Sequence, residues 1–230
     1  MLLPGIDGSG RLYAPLLAAA PRGLAPVSVA YPADRPLGYP ALVELARAAL
    51  PRAGRFLLLA ESFSGPIAVR LAAERPPGLA GLVLAASFLH APLHPLLHPL
   101  RALVGARLFG LPMPPAVIRH FMAGPDAPAP LVEEVRAAVT AVRPEVLAHR
   151  SLEALREDVR PLLAEVQAPI LWLAPKRDRL LHAGASAELQ ALRPDAEVVH
   201  LDAPHMILQR APHACLAAIE RFAAALEAGG

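Results

Sequence analysis

The chain has 230 residues, 55% hydrophobic and 18% charged, with 22 basic against 20 acidic side chains and a formal net charge of +2. That length buries a substantial core, and so apolar a composition excludes a disordered polymer. The arginines are scattered, with no basic stripe and no interleaved aromatics, so the pI of 9.1 does not indicate nucleic-acid binding.

No apolar run reaches the roughly 18 residues of a membrane span without a proline or a charge. The first residues, Met1-Leu2-Leu3-Pro4-Gly5, do not read as a signal peptide. Cys215 is the single cysteine, which rules out an internal disulfide framework and fits a reducing compartment. A cytoplasmic location is the expectation.

In chain order, short apolar runs predict strands at 2–3, 26–30, 56–60, 81–86, 170–174 and 197–201. Amphipathic stretches predict helices at 12–20, 41–50, 65–74, 152–165, 185–192 and 207–225. Pro and Gly mark the junctions, as at Pro76-Pro77-Gly78. The alternation predicts one α/β domain over residues 1–230, with a mostly parallel sheet of about six strands and helices on both faces. Residues 88–150 break the pattern. They are rich in Pro, His and Leu, then helical at 131–142, and too long for a connecting loop. They read as a helical cap over the carboxyl edge of the sheet.

The richest segment is Ala60-Glu61-Ser62-Phe63-Ser64-Gly65, where a predicted strand ends and a helix begins. A serine on so sharp a turn has its hydroxyl thrust out of the backbone, beside the free N–H groups of a helix N-terminus. The flanking positions must be small, because strand and helix nearly collide there; Ala60 and Ser64 meet that condition. Such a serine needs a base, and the base an orienting carboxylate. Asp178 follows the 170–174 strand and His205 follows the 197–201 strand, so all three lie beyond strand carboxyl ends. Two N–H donors must hold the oxyanion: Phe63, after the serine, and by position Ile6 in the Gly-rich loop Leu3-Pro4-Gly5-Ile6-Asp7-Gly8-Ser9-Gly10.

Other polar groups read as structural. Asp202 shapes the turn before His205, and His213 falls within a helix. His90, His94 and His98 recur every fourth residue, but Pro92, Pro95 and Pro99 break the helical face a metal would need, so no metal is expected. The Gly5, Gly8, Gly10 pattern lacks both the G-K-[ST] ending and the dinucleotide spacing. Phe121, Met113 and Met122 read as core. Glu61 either backs the site or faces solvent.

Taken together, these motifs resemble the α/β-hydrolase superfamily in its capped, esterase- and lipase-like branch. The 3–10 loop is similar to the family's oxyanion loop, with Pro4 where many members have His. Residues 60–65 are similar to its nucleophile elbow, 169–178 to its acid strand and turn, and Pro204-His205 to its usual Gly-His. The resemblance covers nearly the whole chain except the cap. It implies a Ser62–His205–Asp178 triad that cleaves carboxylic esters through an acyl-enzyme, with no cofactor and a small-molecule ester as substrate. The apolar cap residues, among them Leu93, Leu96, Leu97, Leu100, Leu103, Leu108 and Leu111, point to an apolar acyl chain. Acyl transfer and thioester cleavage by the same triad stay open, including an acyl carrier protein as partner for Arg101, Arg107 and Arg119. So does a non-catalytic ligand-binding member of the fold. Two departures stand out: two strands that family members carry before the oxyanion loop are missing, and Ser64 replaces a glycine.

Overall fold

The computed structural model describes residues 1–22, 24–92, 104–181 and 184–228. At its centre are β1 (Leu2–Leu3), β2 (Phe56–Glu61), β3 (Leu79–Ala85), β4 (Ile170–Pro175) and β5 (Glu197–Leu201). They lie side by side in that order, every neighbouring pair parallel. β2, β3 and β4 are mainly apolar on both faces because both faces are covered, whereas the edge strand β5 carries the exposed Glu197 and His200.

Alternate residues along each strand enter opposite cores. Leu58, Ala60, Leu82, Leu84, Ile170 and Trp172 share one cluster with Leu42, Ile67 and Leu189. The helices on that face are α2 (Tyr39–Ala48), α3 (Gly65–Ala73) and α8 (Ala185–Leu192). Leu59, Val83, Leu171 and Leu173 share the other cluster with Leu16, Leu208, Leu216 and Phe222. Those come from α1 (Ala14–Ala19), α9 (Ile207–Arg210) and α10 (Pro212–Ala228). Burying each such leucine or phenylalanine stabilises the fold by about 1.5–3 kcal/mol.

Three expected elements differ. Residues 26–30 do not form a full sixth strand. They make a single parallel bridge, Ser28 to Leu2, with Leu2 N–H donating to Val27 C=O and Val29 N–H to Leu2 C=O. β1 is only two residues long, so it offers its neighbour no longer ladder. The expected helix over 152–165 is two pieces: the end of α7 (Pro144–Ala154) and a 3₁₀ turn, Arg160–Glu165. Pro161 lacks the N–H that a continuous helix would need there and stands instead in the first turn of the 3₁₀ piece. The helix expected over 207–225 breaks at Ala211, held at φ −136° and ψ 48° ahead of Pro212. Pro212 then opens α10.

Between β3 and β4 the described residues carry α4 (Ala106–Phe109), α5 (Pro115–Val117), a π-helix (Ile118–Ala123), α6 (Ala129–Thr140) and α7. Ile118, Val132 and Val135 pack with Leu12 and Met206. Val142, Val146 and Leu147 pack with Ile6 and Ala33. Ile6 and Leu12 follow β1 and Met206 follows β5, so the inserted helices rest on segments that leave the carboxyl ends of strands. His94, His98, Arg101, Leu93, Leu96, Leu97, Leu100 and Leu103 lie outside the described residues. Among the described residues no helix is long and apolar enough to cross a membrane.

Candidate active site

Sheet register brings the site together. Leu3 pairs with Ala60, and the two strands run parallel. Three residues beyond each lie Ile6 and Phe63, so both leave the sheet on the same side and at the same level. Glu61 pairs with Ala85, Ala85 with Leu173 and Leu173 with Val199. Segments leaving β2, β3, β4 and β5 therefore emerge along one edge.

Ser62 turns the chain from β2 towards α3 at φ 49°. A left-handed conformation without glycine costs of order 1–3 kcal/mol and persists only where its surroundings impose it. Here the Ser87 hydroxyl donates to the Ser62 carbonyl at 2.8 Å, and the Tyr39 hydroxyl donates to the Phe63 carbonyl at 3.0 Å. The Phe63 ring stacks on Tyr39 with centroids 4.9 Å apart and meets Tyr31 edge-on at 6.5 Å. A Cβ on Gly65 would lie 1.8 Å from Ser87 Oγ, so only glycine lets α3 approach this closely.

The Ser62 hydroxyl lies 3.0 Å from His205 Nε2, and His205 Nδ1 lies 2.8 Å from Asp178 Oδ2. The other Asp178 oxygen accepts the N–H groups of Leu180 at 2.8 Å and Leu181 at 3.0 Å. Burial pushes the Asp178 carboxyl up, but His205 and those two N–H groups outweigh it and hold the carboxyl below its ordinary value. An ionised carboxylate only accepts, so the proton between the two rests on Nδ1. The Nε2 lone pair is then free to accept from Ser62. His205 is buried, and the Asp178 side chain is 11% exposed.

Both expected N–H donors are available. Phe63 lies in the first turn of the 3₁₀ helix Ser62–Ser64, where N–H groups have no intrahelical acceptor. Among the described residues the Ile6 N–H donates no hydrogen bond. The Ser64 side chain joins the two segments. Its hydroxyl donates to the Pro4 carbonyl and accepts from the Tyr31 hydroxyl at 2.7 Å.

Other residues fall outside this cluster. Asp202 is an exposed partner of Arg177 at 2.7 Å, and His213 is exposed at the start of α10. His90 Nε2 lies 3.7 Å from Glu188. Among the described residues no three His, Cys, Asp or Glu side chains group closely enough to hold a metal.

Glu61 backs the site. It is buried, and the Gln209 amide donates to it at 2.9 Å while also donating to the Leu12 carbonyl at 3.1 Å. The sequence alone left its direction open. Sequence reasoning also passed over Tyr13, Tyr31, Tyr39, Ser87, Gln209 and Arg150. Tyr13, Tyr31 and Tyr39 are the chain's only three tyrosines, and the Tyr13 hydroxyl serves the site's loop, donating to the Leu3 carbonyl at 2.5 Å. In a chain only 4% aromatic, the tyrosines were the available signal.

No protein-family model matches the chain, and no curated protein matches it by sequence. By fold it is similar to a hydrolase from Oleispira antarctica, with a TM-score of 0.79 at 13% identity over 96% of this chain and 89% of that one. It is similar to the enol-lactonase from Burkholderia xenovorans LB400, with a TM-score of 0.72 at 19% identity over 97% of this chain and 90% of that one. It is similar to a carboxylesterase from Bacillus subtilis, with a TM-score of 0.72 at 18% identity over 96% of this chain and 81% of that one. The chain has the α/β-hydrolase fold.

The close approach of α3 at the elbow can be tested by substitution. Gly65→Ala should lower stability by about 1–3 kcal/mol in urea denaturation. Ser87→Gly in the same chain should recover only part of that loss, because it removes the side chain that the new Cβ meets but also the hydroxyl that holds the Ser62 carbonyl. A Gly65→Ala protein as stable as wild type would contradict the packing described.

Burial, the largest influence, pushes the Glu61 carboxyl up to about 7; the Gln209 amide and His205 oppose the rise and Asp7 adds to it. Folding must bury a charge once this group ionises. Its contribution therefore falls as pH rises from the ordinary 4.5 to about 7, by about 3 kcal/mol, and is level beyond. Glu61→Gln keeps an acceptor for Gln209 and removes the charge. The variant should match wild type at about pH 4.5 and exceed it in stability at about pH 8. Parallel curves for the two proteins would show that Glu61 does not titrate in this window.

Proposed function

We propose that the protein is a serine hydrolase that cleaves carboxylic esters of apolar acyl groups through an acyl-enzyme. The observation that carries this reading is the continuous hydrogen-bonded path Asp178–His205–Ser62, ending on a serine held at positive φ beside a helix N-terminus. Each part has a chemical use that a purely structural cluster would not need.

Ser62 Oγ attacks the ester carbonyl while its proton passes to His205 Nε2. The Nδ1–H to Asp178 bond fixes the tautomer and stabilises the imidazolium. Charge develops on the carbonyl oxygen, which takes hydrogen bonds from the N–H groups of Ile6 and Phe63; one such donor is worth about 3 kcal/mol in the barrier. His205 then gives its proton to the departing alkoxide. A water, activated by the same imidazole, releases the acid and restores Ser62.

The segment 88–150 acts in this reading as a cap that receives the acyl chain. Supporting it, the described part of this segment leaves Leu108, Leu111, Val117 and Phe121 exposed, and its helices rest on Ile6, Leu12 and Met206. Such exposed apolar side chains suit an uncharged acyl chain. The fold neighbours include an enol-lactonase and a carboxylesterase, which agrees with acyl chemistry.

The reading is tested with a fluorophosphonate probe and a panel of p-nitrophenyl esters of increasing chain length. Wild-type protein should label once, at Ser62, and favour longer acyl chains over acetate. Ser62→Ala should abolish labelling and lower turnover by more than about 10³-fold. Turnover unchanged in Ser62→Ala would sink the assignment.

A further inference from the structure

Arg150 is the largest side chain that the structure buries completely. It lies in α7, on the same apolar stripe as Val146, Leu147 and Ala154. A guanidinium taken out of water ordinarily meets a carboxylate. Among the described residues this one meets none within ion-pair distance. Its two terminal nitrogens donate instead to two backbone carbonyls, Nη1 to Ile6 at 2.7 Å and Nη2 to Pro32 at 2.8 Å. Its Nε has no hydrogen-bond partner among the described residues. The Tyr31 ring faces the guanidinium at 5.7 Å. The buried Asp7 charge offsets part of the desolvation that lowers its pKa.

The carbonyl that Arg150 holds belongs to the residue whose N–H the proposed mechanism needs. The loop around it is gripped peptide by peptide. Pro4 C=O accepts the Ser64 hydroxyl, Gly5 C=O accepts Gly8 N–H at 3.0 Å, and Gly8 C=O accepts Tyr31 N–H at 2.8 Å. Gly5 C=O and Ile6 N–H share one planar peptide and point in opposite directions. The Gly8 bond therefore constrains the Ile6 N–H from one side of the Ile6 Cα. From the other side, Arg150 provides the only hydrogen bond that the Ile6 carbonyl accepts among the described residues. Gly8, at φ 72°, leaves no room for a side chain, since a Cβ there would lie 2.8 Å from Arg150 Nη1.

We infer that Arg150 is a positioning residue that aims the Ile6 N–H at the oxyanion, an inference that rests on the serine-hydrolase reading above. Arg150 itself touches no reacting atom. It acts through the peptide on the far side of Ile6, so a helix from the segment inserted between β3 and β4 sets the accuracy of a donor near the chain's beginning.

The test compares Arg150→Met and Arg150→Lys with wild type, at a temperature where circular dichroism shows each folded. The readouts are kcat and KM on a p-nitrophenyl ester, and the affinity of a trifluoromethyl ketone that forms an oxyanion adduct. Removing an oxyanion donor outright costs about 10²–10³-fold, so misaiming one in Arg150→Met should lower kcat by about 10–100-fold. KM should stay within about threefold, and ketone affinity should fall in step with kcat/KM. Arg150→Lys keeps a charged donor for one carbonyl and should fall between. A folded Arg150→Met with kcat within about twofold of wild type, or with KM alone altered, overturns the inference. If Arg150→Met does not fold, Arg150→Lys decides by the same criteria: lowered kcat at constant KM supports the inference and unchanged kcat overturns it. A wild-type protein that neither turns over esters nor labels with a fluorophosphonate overturns the functional reading and this inference with it.

Discussion

The turn at Ser62 is the constraint around which the neighbouring structure is arranged. A residue with a side chain stands there at φ 49°, between a strand and a helix that almost touch. Left alone, such a turn would relax. It is held because the carbonyls of Ser62 and Phe63 are taken by the hydroxyls of Ser87 and Tyr39, and because Gly65 lets α3 close on β3's outgoing segment. The same strain lifts the Ser62 hydroxyl to His205 and leaves the Phe63 N–H at the start of a helix. Structure and proposed chemistry therefore draw on the same few contacts.

A second consequence concerns the loop that faces the turn. β1 has two residues, so strand pairing alone cannot orient the loop at its carboxyl end. The loop is fastened instead by side chains from elsewhere: Tyr13 on Leu3, Ser64 on Pro4 and Arg150 on Ile6. The Ser64 side chain supplies one of these fastenings and so links elbow to loop directly. Such hydrogen bonds, buried away from competing water, are worth more than surface ones and cost more when half-made.

Much of this was legible in the chain because it is local. β2, β4 and β5 and the helix at 185–192 follow from period and punctuation to within a residue. Ser62, Asp178 and His205 stand out because each follows an apolar run, and parallel register then brings those run ends to one edge. What stayed hidden is non-local. No spacing rule joins Tyr31 to Ser64 or Gln209 to Glu61, since the partners meet only after the sheet is formed. The segment 26–30 has strand composition but only two residues of β1 to pair with. The breaks ahead of Pro161 and Pro212 were readable in principle, because proline there outweighs apolar periodicity. Arg150 had a local signal too: a charge in the apolar stripe of α7, four residues after Val146 and three after Leu147.

The most direct test of the account is a crystal structure of the protein after reaction with an alkyl p-nitrophenyl phosphonate, whose adduct mimics the tetrahedral intermediate. The account predicts phosphorus bonded to Ser62 Oγ, His205 still bonded to Asp178, and the phosphoryl oxygen accepting the N–H groups of both Ile6 and Phe63. An adduct on another residue, or a phosphoryl oxygen turned away from both N–H groups, would contradict it.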